Sequence, residues 1–216
     1  MIDVYVFGSA PRPVWNVTRD LRVLWALEET GLAYRVRPLD FARGELKTPE
    51  YLRIHPFGKI PAIVDEGFAL FESAAIVLYL AEKAGKLLPP SLGLRGRALA
   101  AQWVFAAVNT VEPPIQELFV IDHFAANESW AKEHRPAVQT QVEARLATLD
   151  GELARRPYLM GDEFGAPDIL MTTVLRMLQH TGLLRAAPNV AAYQARCEAR
   201  PAWRKVVAEH LQRLAA

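Results

Sequence analysis

The segment from His55 to Ala62 places a proline directly before a predicted strand, in the order Ile60-Pro61-Ala62. Proline is tolerated at a strand start because its missing N–H need not join the sheet ladder. A cis Ile60-Pro61 peptide bond would turn the chain and leave the N–H and C=O of Ile60 facing outward, where an extended peptide can pair with them. The same pattern also fits a purely structural turn into a strand, so this segment alone leaves both interpretations open.

A second polar pair, Glu72-Ser73, stands at the start of a predicted helix. A helix N-terminus carries unpaired N–H groups and the positive end of the helix dipole, so it attracts a carboxylate. Ser73 can cap the helix or bind that carboxylate, and Glu72 can bind an ammonium group. The pair follows Pro61 by about eleven residues with a hairpin between them. Together, the two segments predict one binding site for a small peptide.

The residues before position 85 predict a small α/β domain. Short β-branched and aromatic runs alternate with helical patterns in the order βαβ, a short α, then ββα. The first half requires a parallel crossover, and the second half is an antiparallel hairpin closed by a helix. The predicted strands are Ile2–Phe7, Tyr34–Leu39, Ala62–Asp65 and Phe68–Phe71, and the predicted helices are Leu21–Thr30, Pro49–Ile54 and Ser73–Ala84. Thr48 is expected to cap the second helix, and a tight turn at Glu66-Gly67 is expected to join the last two strands.

The residues after position 92 predict only helices. Paired prolines forbid a continuing helix, so residues 85–92 are predicted to link a domain at 1–84 to a helical domain at 93–216. Pro113-Pro114 predicts a bend in the first helical pattern, and Pro136 predicts a late start or a kink in the second. The helical patterns are Leu94–Val120, Trp130–Arg156, Pro167–Gly182, Asn189–Glu198 and Ala202–Leu214.

Composition and charge exclude several classes of function. The 216 residues include 25 basic and 24 acidic side chains, so nothing electrostatic favours a nucleic-acid or anionic-membrane partner. No apolar run approaches the roughly 18 residues of a membrane span, and the N-terminus lacks a signal-peptide pattern. The only cysteine, Cys197, cannot form an intramolecular disulfide, which fits a reducing cytoplasm and an inert buried thiol. The histidines show no metal-ligand spacing, so no metal is expected.

The N-terminal region resembles the glutathione S-transferase superfamily. The matching segments cover the whole first domain and are Arg22–Glu29, Pro49–Leu52, Pro56–Pro61 and Phe71–Ile76. The resemblance implies a thioredoxin-like α/β domain that binds glutathione as co-substrate, followed by an all-α C-terminal domain. The second domain is matched at Leu159–Ile169, where the family usually has Ser or Thr at the position of Gly165. Here only the Asp168 side chain can reach back to the helix start.

The same resemblance implies roles in glutathione binding. The backbone of Ile60, held before Pro61, pairs with the cysteinyl moiety. Glu72 and Ser73 hold the γ-glutamyl ammonium and carboxylate groups. Lys47 matches a basic position that often contacts the glycyl carboxylate, and it fits a solvated surface lysine equally well.

The residue that activates the thiol has three candidates. The thiol must become a thiolate to attack an electrophile, and the family places a Tyr, Ser or Cys for this after the first strand. The loop Gly8–Arg22 is longer than the common bacterial version, and it has no cysteine, which argues against a cysteine-type thioltransferase. The resemblance implies a bacterial-type, theta/nu-like subgroup with a serine/threonine or asparagine active-site loop. By alignment, Thr18 falls where several subfamilies carry a catalytic serine. Asn16 is second, since some bacterial subfamilies use an asparagine amide, and Ser9 is third. A threonine there also makes a good N-cap, and a backbone N–H or no activator are further alternatives.

The electrophile site of this family lies between the domains. The resemblance implies that Trp15 from the loop and Trp103 and Val108 from the first C-terminal helix line it, although helical spacing equally makes Trp103 and Val108 core residues.

The implied function is that of a cytoplasmic, homodimeric detoxification enzyme that adds the glutathione thiolate to a small hydrophobic electrophile. Two alternatives stay open at the level of sequence. One is a glutathione-dependent peroxidase or disulfide reductase without a protein cysteine. The other is a non-catalytic binding or regulatory module.

Overall fold

The structure is a computed structural model, and it describes residues 1–88 and 93–215. These residues form two compact units. The first unit contains residues 1–88 together with Arg200–Ala215, and the second contains Gly93–Ala199. The thioredoxin-like order predicted for the first unit and the helical character predicted for the second are both confirmed.

A four-stranded mixed sheet forms the centre of the first unit, in the order β2-β1-β3-β4. β1 runs parallel to β2, and β3 is antiparallel to both β1 and β4. The strands are β1 (Ile2–Ser9), β2 (Tyr34–Asp40), β3 (Ala62–Asp65) and β4 (Phe68–Phe71). Val4 and Val6 point into the core while their neighbours stay partly exposed, as the two-residue period of a strand requires. Pro38 is tolerated because β2 is an edge strand.

The helices of the first unit are α1 (Asp20–Thr30), α2 (Pro49–Leu52) and α3 (Ser73–Ala84). Thr48 caps α2 as predicted, accepting a hydrogen bond from the Tyr51 N–H at 3.3 Å. The tight hairpin between β3 and β4 is also confirmed. Both of its central residues, Glu66 and Gly67, have positive φ, which is the geometry that fits the twist of the flanking strands.

The last helix of the chain packs in the first unit rather than in the helical one. Numbered in chain order, α9 (Pro201–Ala215) lies against α1, with the rings of Trp25 and Trp203 centred 4.6 Å apart. Arg200 forms a bidentate ion pair with Glu29 at 2.6 and 2.7 Å. The predicted helical domain 93–216 is therefore wrong for α9, because the apolar face of α9 is buried against α1. Residues 89–92 of the predicted linker lie outside the described residues.

The second unit contains α4 (Gly93–Phe105), α5 (Glu112–Phe124), α6 (Ser129–Leu153), α7 (Ala166–Leu175) and α8 (Pro188–Glu198). The predicted bend near Pro113-Pro114 takes the form of a π-helical segment at Ala106–Val111, with both prolines in the first turn of α5. Proline offers no N–H, so the carbonyls one turn earlier lose their α-helical donors and the ladder widens. α6 continues through Pro136 instead of beginning there.

The start of α7 is held by the buried Asp168 carboxylate. It accepts hydrogen bonds from the N–H of Gly165 at 2.8 Å, the N–H of Leu159 at 2.9 Å and the hydroxyl of Tyr193 at 2.9 Å. The carboxylate satisfies the N–H of the capping residue Gly165, even though Gly165 itself has no hydroxyl. Burial beside this carboxylate raises the pKa of Tyr193 well above its usual range.

Candidate functional site

Strand register brings the two polar segments of the first unit together. Ala62 pairs with Phe71 in the antiparallel ladder of β3 and β4, so continuing the register by two positions leads Ile60 toward Ser73. The Ile60-Pro61 bond is cis. The backbone N–H and C=O of Ile60 have no hydrogen-bond partner within residues 1–88 and 93–215. This edge therefore offers one donor and one acceptor to an extended peptide.

Three residues that the sequence analysis did not single out hold this edge in place. The Tyr51 hydroxyl donates to the Lys59 carbonyl at 2.5 Å, which fixes the chain just before Ile60. Gly58 has φ +56, and a Cβ there would lie 2.5 Å from the Leu46 carbonyl oxygen, so only glycine fits. His55 is buried with its ring 4.8 Å from that of Phe71. Burial lowers the pKa of His55.

Glu72 and Ser73 form the start of α3. Glu72 is exposed and has φ 71 and ψ 112, a conformation uncommon for a residue other than glycine and often associated with functional sites. Ser73 is buried, and its hydroxyl accepts a hydrogen bond from Arg22 Nη1 at 3.2 Å. No side chain caps this helix, so the expected competing role of Ser73 as a plain N-cap is absent. The N-terminus of α3 is thus available to an anion.

The Lys47 side chain lies next to Gly58. It is exposed, and its Nζ donates to the Phe57 carbonyl at 3.1 Å. The ammonium group therefore sits beside the segment that leads into Ile60, where a cation can meet a carboxylate of a bound peptide.

The candidates in the loop after β1 differ sharply in environment. The Ser9 hydroxyl donates to Asp40 Oδ1 at 2.6 Å, so its proton is already used within the protein. Asn16 is exposed. Thr18 is 7% exposed, does not cap α1, and has its Oγ1 3.1 Å from Nε2 of His210. The structure thus places Thr18 at the start of α1 in contact with a side chain 192 residues away.

His210 was not predicted as part of the site. It lies on α9 and is wholly buried, with Nε2 2.9 Å from the Trp15 carbonyl oxygen and Nδ1 2.7 Å from Arg213 Nη2. Arg213 also donates to the Phe7 carbonyl at 3.1 Å. The sequence offers no local signal for this contact, because the histidine is one of five without a recognisable motif.

The aromatic residues predicted to line an electrophile pocket are anchored within their own units. Trp15 Nε1 donates to the Ala10 carbonyl at 2.7 Å, and the Arg12 guanidinium lies 5.3 Å from its ring. In the helical unit, the Arg156 guanidinium lies 5.1 Å from the half-buried Trp103 ring, and Val108 is half-buried in the π-helical segment. These contacts fit a structural role as well as a lining role.

Known proteins are similar to this sequence over most of its length. Residues 13–82 match the model of the glutathione S-transferase N-terminal domain, and residues 110–201 match that of the C-terminal domain. Glutathione S-transferase 3 from Zea mays is 32% identical over 87% of this chain and 88% of its own. This chain belongs to the glutathione S-transferase family.

Two further members of the family are informative. The disulfide-bond oxidoreductase YfcG from Escherichia coli is 38% identical over 78% of this chain and 76% of its own. A Burkholderia graminis glutathione transferase, solved with two glutathione molecules bound per subunit, superposes with a TM-score of 0.85. It is 30% identical, and the match covers 95% of this chain and 87% of that one.

Residues 1–88 and 93–215 of this glutathione S-transferase family member contain neither a metal-binding cluster nor a membrane-spanning helix. No group of three or more His, Cys, Asp or Glu side chains in those residues is arranged to hold a metal ion. None of the helices they form is long and apolar enough to cross a membrane.

Cys197 of this family member is predicted to be chemically silent in the folded protein. Burial raises the pKa of its thiol to about 12, so at neutral pH roughly a thousand-fold less thiolate forms than at an ordinary cysteine. We expect an aromatic disulfide reagent to label the native protein far more slowly than the guanidinium-unfolded chain. Rapid stoichiometric labelling of the native protein would contradict this prediction.

Proposed function

We propose that this protein is a glutathione S-transferase that adds the glutathione thiolate to a small hydrophobic electrophile. The observation that carries the proposal is the meeting of the cis-proline edge at Ile60-Pro61 with the uncapped helix start at Glu72-Ser73. That edge offers a peptide donor and acceptor, and the helix start offers an anion site, which together match a short acidic peptide with a free α-amino acid end.

The binding roles follow from the position of each group. The backbone of Ile60 pairs with the cysteinyl moiety of glutathione. Ser73 and the first N–H groups of α3 hold the γ-glutamyl carboxylate, while the exposed Glu72 carboxylate takes its ammonium group. Lys47 contacts the glycyl carboxylate. The relatives solved with glutathione support glutathione as the ligand of this chain.

Thr18 stabilises the thiolate in this proposal. Thr18 lies two residues before α1, near the positive end of the helix dipole, which also favours negative charge. Ser9 is less suited, because its proton is held by Asp40. Such a hydroxyl-dependent loop supports our assignment of the chain to a theta/nu-like subgroup. Chemically, the sulfur forms a bond to the electrophilic carbon, and a leaving group such as chloride departs when the acceptor carries one.

A conjugation assay with a chloronitrobenzene acceptor tests the proposed activity. We expect a glutathione-dependent rate together with glutathione binding by calorimetry. Binding without a rate on any of several electrophiles, but with activity on hydroxyethyl disulfide or a hydroperoxide, would favour the disulfide reductase or peroxidase alternative. Absence of glutathione binding would favour a non-catalytic module and overturn the proposal.

Ser73→Ala tests the carboxylate site directly. Loss of a hydrogen bond to a charged group is expected to lower glutathione affinity about 10-fold, measured by calorimetry. Ser129→Ala is the matched control, since Ser129 is also the first residue of a helix and is exposed. Equal affinities for the two variants would contradict the role of Ser73.

We propose further that the protein works as a cytoplasmic homodimer, with domain boundaries near 1–84 and 93–216 apart from the placement of α9. Support comes from the lack of any possible intramolecular disulfide and from the family resemblance. Sedimentation equilibrium at micromolar concentration tests the oligomeric state, and a mass of one chain would contradict it.

A further inference from the structure

His210 connects the end of the chain to the loop that carries the proposed thiolate-stabilising residue. Its imidazole is wholly buried, and each ring nitrogen faces a specific partner. Nε2 lies 3.1 Å from Thr18 Oγ1 and 2.9 Å from the Trp15 carbonyl oxygen, while Nδ1 lies 2.7 Å from Arg213 Nη2. The histidine thus touches the loop on one side and a cation of its own helix on the other.

The tautomer of His210 follows from these partners. A guanidinium only donates hydrogen bonds, so Nδ1 must accept from Arg213 and the ring proton must be on Nε2. Asp20 is the other charged group nearby, but its Oδ2 is 3.9 Å from Nδ1, which is too far for a hydrogen bond. Oδ2 instead accepts from the Phe7 N–H at 3.0 Å. Burial lowers the pKa of His210, in keeping with a neutral ring.

The proton on Nε2 decides how the Thr18 hydroxyl is used. The Trp15 carbonyl oxygen can only accept, and Thr18 Oγ1 must also accept, because Nε2 has no lone pair in this tautomer. The Thr18 hydroxyl therefore does not donate its hydrogen bond to His210. Within residues 1–88 and 93–215 the Thr18 hydroxyl has no second hydrogen-bond partner.

We propose that His210 is a positioning residue whose Nε2–H binds the oxygen of Thr18 and leaves the Thr18 proton directed at the sulfur of bound glutathione. This inference rests on the proposed role of Thr18. The Arg213 guanidinium strengthens the arrangement, because a cation donating to Nδ1 polarises the ring and makes Nε2–H a better donor. Thr18 in turn becomes a better donor to a thiolate. α9 is thus part of the thiol-activating apparatus, acting through Thr18 rather than on substrate.

Variants at position 210 separate this role from simple packing. In His210→Gln the amide N–H stands near the place of Nε2, so it keeps the donor. In His210→Asn the shorter amide ends near the place of Nδ1, so it stays polar but loses the donor to Thr18, and His210→Leu removes both. Gln212→Ala, at an exposed position of the same helix, is the control.

The readouts are the pKa of the glutathione thiol in the complex, from the ultraviolet absorbance of the thiolate, and the separate values of kcat and KM. We expect His210→Leu and His210→Asn to raise the bound-thiol pKa by about one unit and lower kcat at neutral pH about 10-fold, with KM for glutathione little changed. His210→Gln should keep most of the activity. If His210→Leu does not fold, the comparison of Gln with Asn carries the test.

The double variant Thr18→Val/His210→Leu completes the experiment. If His210 acts through Thr18, the double variant is no less active than Thr18→Val alone. An unchanged thiol pKa in His210→Asn and His210→Leu, or losses that add in the double variant, would overturn the inference while leaving the role of Thr18 intact. An unchanged thiol pKa in Thr18→Val would instead show that the proposed role of Thr18 is itself wrong.

Discussion

Replacing Thr18 by valine is expected to lower kcat/KM for glutathione conjugation about 100-fold. This is the typical loss when an enzyme loses one hydrogen-bond donor to a negatively charged reacting atom, here the glutathione sulfur. Valine keeps the shape of threonine but has no hydroxyl, so the thiolate loses its hydrogen bond and the thiol pKa in the complex rises toward that of free glutathione. Steady-state kinetics at neutral pH measure the loss. Most of the effect should appear in kcat, because the binding groups at Ile60 and Ser73 are untouched.

Ser9→Ala and Asn16→Ala are the matched controls for this prediction. The Ser9 hydroxyl donates to Asp40 Oδ1 at 2.6 Å, so removing this hydroxyl is expected to change the loop locally and leave the thiol pKa nearly constant. Asn16 is exposed, and its replacement should likewise have a small effect. A large loss in Asn16→Ala with full activity in Thr18→Val would assign the activating role to the amide and contradict our proposal.

Replacing Asp168 by alanine is expected to lower the free energy of unfolding by about 3–5 kcal/mol, because several buried donors lose their acceptor together. These donors are the N–H groups of Gly165 and Leu159 and the hydroxyl of Tyr193, all within 2.9 Å of the carboxylate. Chemical or thermal denaturation measures the change, and we expect a fall in Tm on the order of 10 °C.

Asp162→Ala is the control for the stability prediction. Asp162 is an exposed acid in the same segment before α7, so its replacement should change the free energy of unfolding by less than about 0.5 kcal/mol. Equal stability of the Asp168 and Asp162 variants would mean that the helix start is held by backbone contacts alone.

Much of the local structure could be predicted from the sequence because it depends on near neighbours. The β-branched runs, Thr48 as a helix cap and the Glu66-Gly67 turn each depend on preferences of a few consecutive residues, and each is confirmed. Prolines were harder to place. Pro136 lies inside a helix that tertiary packing maintains, and Pro113-Pro114 produce a π-helical segment before them rather than a simple bend.

The proximity of Pro61 to Glu72-Ser73 could be predicted from the sequence, since a short hairpin joins the two segments and sets their register. Contacts between distant segments were not accessible. His210 lies on the last of several successive helices. The spacing of its apolar residues predicted that helix, but it could not predict that the helix packs against α1 and β1.

The sequence by itself determined the family, the order of elements and the spacing that joins Ile60-Pro61 to Glu72-Ser73 in the proposed binding edge, because those features depend on local propensity, spacing and turn chemistry. Only the tertiary structure decided how the three hydroxyl and amide candidates differ. The Ser9 hydroxyl donates its hydrogen bond to Asp40, 31 residues away, and Thr18 contacts His210, 192 residues away. Tertiary packing brings these partners close, and they decide which hydroxyl can donate to the proposed thiolate. No local sequence pattern encodes them.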